Sequence, residues 1–167
     1  MTYRNPLLHL TLLCLLFTAP GALLAEPLGA VTIRADYARF SQDDGTGIYR
    51  GNAELEQDNR RLTADTIELF TQDGELSRVE AEGKPLTLTE GDTLSARAER
   101  LDYDVRGQRI TLRGNAHITH LGRSFEGTQI VYDLATRQVE ASGDGDSRVR
   151  LVIPGDSRSS GERHDNQ

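Results

Sequence analysis

The stretch Ala96-Arg97-Ala98-Glu99-Arg100-Leu101-Asp102-Tyr103 is one of four related segments, and its spacing decides the fold. Its pattern of apolar or small residues is Ala96-x-Ala98-x-x-Leu101-x-Tyr103. The same pattern occurs as Ile33-x-Ala35-x-x-Ala38-x-Phe40, Leu62-x-Ala64-x-x-Ile67-x-Leu69 and Phe125-x-Gly127-x-x-Ile130-x-Tyr132, at offsets of 29, 34 and 29. Within each half the pattern alternates, the period of a strand with one buried face. Between the halves sits one extra residue, which would turn the apolar set to the opposite face of a straight strand. A chain that keeps one face on a core absorbs such a residue only through a bulge or corner. The small residues Ala35, Ala64, Ala98 and Gly127 mark those corners.

A second series runs in step with the first. Arg50-Gly51-Asn52-Ala53 returns as Arg113-Gly114-Asn115-Ala116, and weaker copies lie at Gly83 and Gly143, with spacings of 32, 31 and 29 residues. Turn signals at Asp43-Asp44-Gly45, Asp73-Gly74, Arg106-Gly107 and Leu121-Gly122 interrupt the alternation. Each unit of about 30 residues therefore reads as strand, corner, strand, turn and return. Stacked along one axis, such units predict an all-β jelly-roll of two facing antiparallel sheets with solenoid character and open ends. A closed sandwich is the alternative architecture.

Around this domain, predicted over residues 26–153, lie two segments of different character. Arg4 followed by the apolar run Leu7–Phe17 and the small residues before Ala25 predicts a signal peptide over 1–25. The run of about 11 apolar residues is shorter than the ~20 that span a bilayer, which argues against a retained anchor. Residues 154–167, rich in Gly, Ser, Asp and Arg, predict a disordered polar tail. Cleavage would remove Cys14, the sole cysteine, and shift the net charge from −7 to −8. The exported chain then has no disulfide and no thiolate chemistry, and a periplasm suits it.

Acidity and a single lysine, Lys84, exclude a nucleic-acid binder or a polybasic membrane patch. His117 and His120, three apart on a predicted strand, face opposite ways and cannot share a metal. No nucleophile motif, phosphate loop or calcium loop is present. The expectation is a protein with no enzymatic activity, no cofactor and no metal. The inner face would carry Ile33, Phe40, Ile67, Leu69, Leu86, Leu88, Leu101, Tyr103, Val105, Ile118, Ile130 and Tyr132. These fit either a packed core or an aliphatic channel, in which each buried CH₂ of an acyl chain gains about 0.8 kcal/mol. The end segments Val31-Thr32-Ile33 and Val149-Arg150-Leu151-Val152-Ile153 are good strands left at the two edges, open to addition between chains.

These residues resemble the OstA-like family over about 28–153. The likeness rests on Val31-Thr32-Ile33-Arg34-Ala35-Asp36, the two Gly-Asn-Ala strings, Gly83-Lys84-Pro85, the Ala-Asp/Glu corners and Gly127-Thr128-Gln129-Ile130-Val131-Tyr132. The resemblance implies a bridge between the two membranes of a diderm bacterium that shields the acyl chains of lipopolysaccharide (lipid A) between its sheets. It implies lipid-facing roles for Val31, Ile33, Leu88, Tyr103 and Val105. Terminal strands would join an LptC-like inner-membrane protein, an LptD-like outer-membrane protein and further copies head to tail. The net charge of −8 departs from what an anionic lipid would favour, so contact would be mainly apolar, with Arg34 or Arg78 placed near phosphates. The competing function is a structural or partner-docking β-module with a filled core.

Overall fold

The computed structural model describes residues 29–155; the expected signal peptide over 1–25 and all but the first two residues of the expected tail lie outside them. Ten strands make the fold: β1 (Thr32–Arg34), β2 (Tyr37–Ser41), β3 (Thr46–Gln57), β4 (Arg60–Gln72), β5 (Glu75–Glu90), β6 (Leu94–Asp104), β7 (Arg109–His120), β8 (Arg123–Asp133), β9 (Gln138–Ser142) and β10 (Arg150–Val152). There is no helix among the described residues. From β3 to β8 the chain runs as an antiparallel meander. β1 and β2 pair with different halves of β3, and β9 and β10 with different halves of β8.

All ten strands belong to one hydrogen-bonded sheet. The two facing layers expected from the repeat are thus the two limbs of a single sheet folded along a crease. One limb ends on β1 and β10, the other on β2 and β9. Every long strand crosses the crease, and its register shifts there: between Arg50 and Ala53, Thr63 and Thr66, Glu82 and Leu86, Arg97 and Arg100, and Arg113 and Ala116. Ala64, Ala98 and Gly127 sit at these shifts, and Ala35 lies between β1 and β2, as the parity change requires.

The Gly-Asn-Ala strings form the complementary corners on the alternate strands, a role that spacing alone did not reveal. Gly51 and Asn52 have φ of 76° and 45°, and Gly114 and Asn115 repeat both values. The Asn52 amide donates to Asp36 Oδ2 at 2.8 Å, and the Asn115 amide to Glu99 Oε1 at 2.6 Å. The acids following the small corner residues Ala35 and Ala98 therefore anchor the asparagines of the neighbouring corners. A side chain at Gly114 would pay the left-handed penalty of about 1–2 kcal/mol. Its Cβ would also lie 2.7 Å from the Glu99 carboxylate. Gly114→Val is expected to lower stability by more than that penalty alone, as read by urea unfolding, with Gly74→Ala, whose Cβ meets nothing within 4 Å, as the milder comparison.

Candidate functional site: an apolar groove between the limbs

Cross-strand partners point to the same side of a sheet, so the pairing register sorts every side chain into rows. On the β1–β10 limb one inward row is Ile33, Leu55, Leu62, Leu88, Ala96, Ile118, Phe125 and Leu151. On the β2–β9 limb two inward rows contain Tyr49, Ile67, Ala81, Leu101, Leu112 and Ile130, and Phe40, Leu69, Val79, Tyr103, Ile110, Tyr132 and Val139. The opposite parity carries Arg34, Glu54, Glu56, Arg61, Arg78 and Asp102, which form ion pairs on the outer surface.

Ile67, Leu86, Leu112 and Ile130 are wholly buried and join the limbs near the crease. Further toward the mouth the packing loosens. A cavity of about 40 Å³ lies between the limbs, walled by Leu55, Leu62 and Leu88 from one and Val79, Leu101, Tyr103 and Ile110 from the other. Gln57 and Arg60 stand at its edge. Such a volume holds a few waters at most and is too small for an acyl chain. Among the described residues no backbone pairing crosses the mouth, however. Across it the His120 and Tyr132 rings stack tilted at 5.3 Å, with Tyr132 Oη and His120 Nε2 3.4 Å apart. Arg60 Nε donates to Glu90 Oε2 at 3.1 Å on the same rim. Burial raises the Tyr103 and Tyr132 hydroxyls above the ordinary tyrosine range; for Tyr103, Arg60 partly opposes the shift and Glu90 adds to it. Both rings therefore present neutral hydroxyls at the boundary between apolar interior and water.

The expected inner-face residues fall in these inward rows, with two qualifications. Phe40 belongs to an inward row yet is 61% exposed, because β2 is the last strand of its limb and, among the described residues, nothing covers that end of the groove. Val105 lies in the turn after β6, at the mouth rather than in the face. Val31 precedes β1 and is half-buried, and the strand expected over 149–153 is shorter, Arg150–Val152, flanked by exposed Val149 and Ile153. Arg34 and Arg78 do not face the groove: Arg34 is held by Glu54 and Glu56, and Arg78 by Asp102, on the outer surface. Those carboxylates raise both guanidinium pKa values further, so each stays charged. His117 faces outward to Glu126 and His120 inward to Tyr132, as their spacing of three implies. The cavity residues that the expected inner face did not include are Leu55, Leu62, Leu76, Val79 and Ile110, together with Gln57 and Arg60, although Leu62 opens one of the four repeated segments. Apolar-polar alternation within their own strands, Ala53-x-Leu55, Leu62-x-Ala64, Val79-x-Ala81 and Ile110-x-Leu112, is the signal that could have found four of them.

An antiparallel sheet folded over an apolar groove, open at both ends, defines the class as an open β-jelly-roll. Residues 32–138 match the family of LptA/(LptD N-terminal domain) LPS transport proteins, and the chain belongs to that family. This is a family of transport proteins, not of enzymes. The chain is 26% identical over 156 residues to the lipopolysaccharide export system protein LptA of Haemophilus influenzae, covering 89% of this chain and 91% of that one. It is 29% identical over 130 residues to the lipopolysaccharide export system protein LptH of Pseudomonas aeruginosa, covering 74% of each. The crystal structure of the Pseudomonas LptH, described as the LptA-homologous periplasmic component of the lipopolysaccharide transport device, superposes with a TM-score of 0.70 at 25% identity. That match spans 76% of this chain and 96% of the other.

Proposed function

We propose that this chain is a periplasmic lipopolysaccharide carrier that shields acyl chains between its limbs and bridges transport components of the two membranes. The observation that carries the reading is the groove itself. Among the described residues, two apolar inward faces meet in a mouth that no backbone bond closes, and the apolar rows run out uncovered at both ends of the sheet, at Phe40 and at Leu151. A domain built only to pack a core would not leave its inner row exposed at both termini. Export by residues 1–25 would deliver the chain to the compartment in which its relatives work.

In this conformation the limbs nearly touch, so loading requires them to part by giving up the His120–Tyr132 contact while the crease stays intact. Val31, Ile33, Leu88, Tyr103 and Val105 would then line the acyl chains, and the sugars would remain in water beyond the rim. The free edges of β1, β2, β9 and β10 would join copies of this chain and LptC-like and LptD-like partners of the same fold. The small interior volume favours one competing reading, a docking module with a filled core. Lipopolysaccharide stripped of its acyl chains separates the two. The purified chain is expected to bind intact lipopolysaccharide and to lose most of that affinity for the deacylated form. Equal affinity for both would overturn acyl shielding.

A further inference from the structure

The two ends of the folded sheet are complementary in three independent respects on the β2–β9 limb. First, strand direction alternates through the meander, so β2, which pairs with β3, runs opposite to β9, which pairs with β8. A second copy placed end to end therefore continues the sheet as an antiparallel pair of two five-residue strands. Second, the rows continue. Following the register across the sheet, Phe40 shares a row with Val139, Ala38 with Ala141, and Arg39 with Glu140. The first two pairs face the groove and the third faces outward.

Third, the outward pair is of opposite charge. Arg39 and Glu140 are both exposed, and neither takes part in an ion pair among the described residues. On the other limb the equivalent continuation sets Arg150 beside Arg34, each already engaged by glutamates of its own chain. That limb extends the apolar row through Leu151 and Ile33 but offers no attraction that fixes alignment. A slip of one residue would turn Phe40 outward. A slip of two would set Arg39 against Gln138 or Ser142.

We infer that, where copies of this chain stack end to end as the bridge reading has it, the pair of Glu140 on β9 of one copy and Arg39 on β2 of the next sets the register. This deepens the bridge reading above and rests on it. In that register the inward rows run unbroken from copy to copy, with the exposed Phe40 covered by Val139. The groove becomes continuous on both limbs. Opposite charges directly across an antiparallel pair stabilise it, and like charges destabilise it.

The test is sedimentation velocity of the chain lacking residues 1–25, over a range of concentrations, for wild type, Arg39→Glu, Glu140→Arg and the double variant. Each single substitution puts like charges across the junction and is expected to weaken self-association roughly threefold to tenfold. The double variant restores the pair in reverse and is expected to return to within about twofold of wild type. Circular dichroism of all four checks that the fold is kept, which exposed edge positions should allow. Association unchanged by the single substitutions, or weakened in the double variant as in the singles, would overturn the register while leaving end-to-end stacking intact. A wild type that stays monomeric at every concentration would overturn the stacking on which it rests.

Discussion

Ile33→Asp is expected to weaken lipopolysaccharide binding at least tenfold, while Thr32→Asp, one residue away, changes it less than about threefold. The two positions lie on the same three-residue strand and differ in face: Ile33 pairs with Leu55 in the inward row, Thr32 with Glu56 in the outward one. Removing the contact of one aliphatic side chain with lipid forfeits about 1.5–3 kcal/mol, and a factor of ten is 1.4 kcal/mol. A carboxylate against acyl chains adds a desolvation cost on top of that loss. Because β1 is an edge strand and Ile33 only half-buried, the fold should survive the change. Binding by a fluorescent lipid A competition assay, with circular dichroism as the folding check, reads the difference. Equal loss at both positions would place the lipid elsewhere than in the groove.

The largest effect on stability is expected at the seam near the crease. Leu112 is wholly buried, pairs with Leu101 and Ile130, and belongs to the row that binds the β2–β9 limb to its partner. Leu112→Ala should cost about 2–5 kcal/mol, the range for emptying a buried leucine site. Domains of this size have only ~5–15 kcal/mol of stability in total. A fall in the thermal midpoint of roughly 10 °C or more follows. Thr111→Ala, the next residue and outward-facing, should stay within about 1 kcal/mol. The contrast separates a seam that must remain closed from a mouth that must open.

The architecture was legible because two periodicities coincide. Alternation in segments such as Ile67-x-Leu69 and Leu101-x-Tyr103 gives the strands, and the single extra residue beside Ala64, Ala98 and Gly127 gives the crease. Repetition at about 30 residues then implies that the creases align into one fold line. The continuity of the sheet was not legible. Whether a strand ends at a corner or passes through it depends on backbone geometry, which Gly51-Asn52 and Gly114-Asn115 settle through positive φ. The Asn52–Asp36 and Asn115–Glu99 contacts show why those strings recur sixteen residues after their acids.

The groove was read in part. Leu88 and Tyr103 lie in its wall, on the inner face to which alternation assigns them. Arg34 and Arg78 went the other way for a physical reason. Each has carboxylates across the strand on the outer face, and a guanidinium with such partners gains more there than at an apolar wall. The exposure of Phe40 follows from its place on a terminal strand, and parity alone carries no information about where a sheet ends.

Acyl shielding between the limbs is the central claim, and site-specific photocrosslinking tests it most directly. A photoreactive residue at Leu88 or Tyr103, in the cavity wall, is compared with one at Glu56 on the outer face, with lipopolysaccharide present. The account expects crosslinks to lipid at the two inner positions and none at Glu56. Folded protein that crosslinks at neither inner position, or equally at all three, would contradict it.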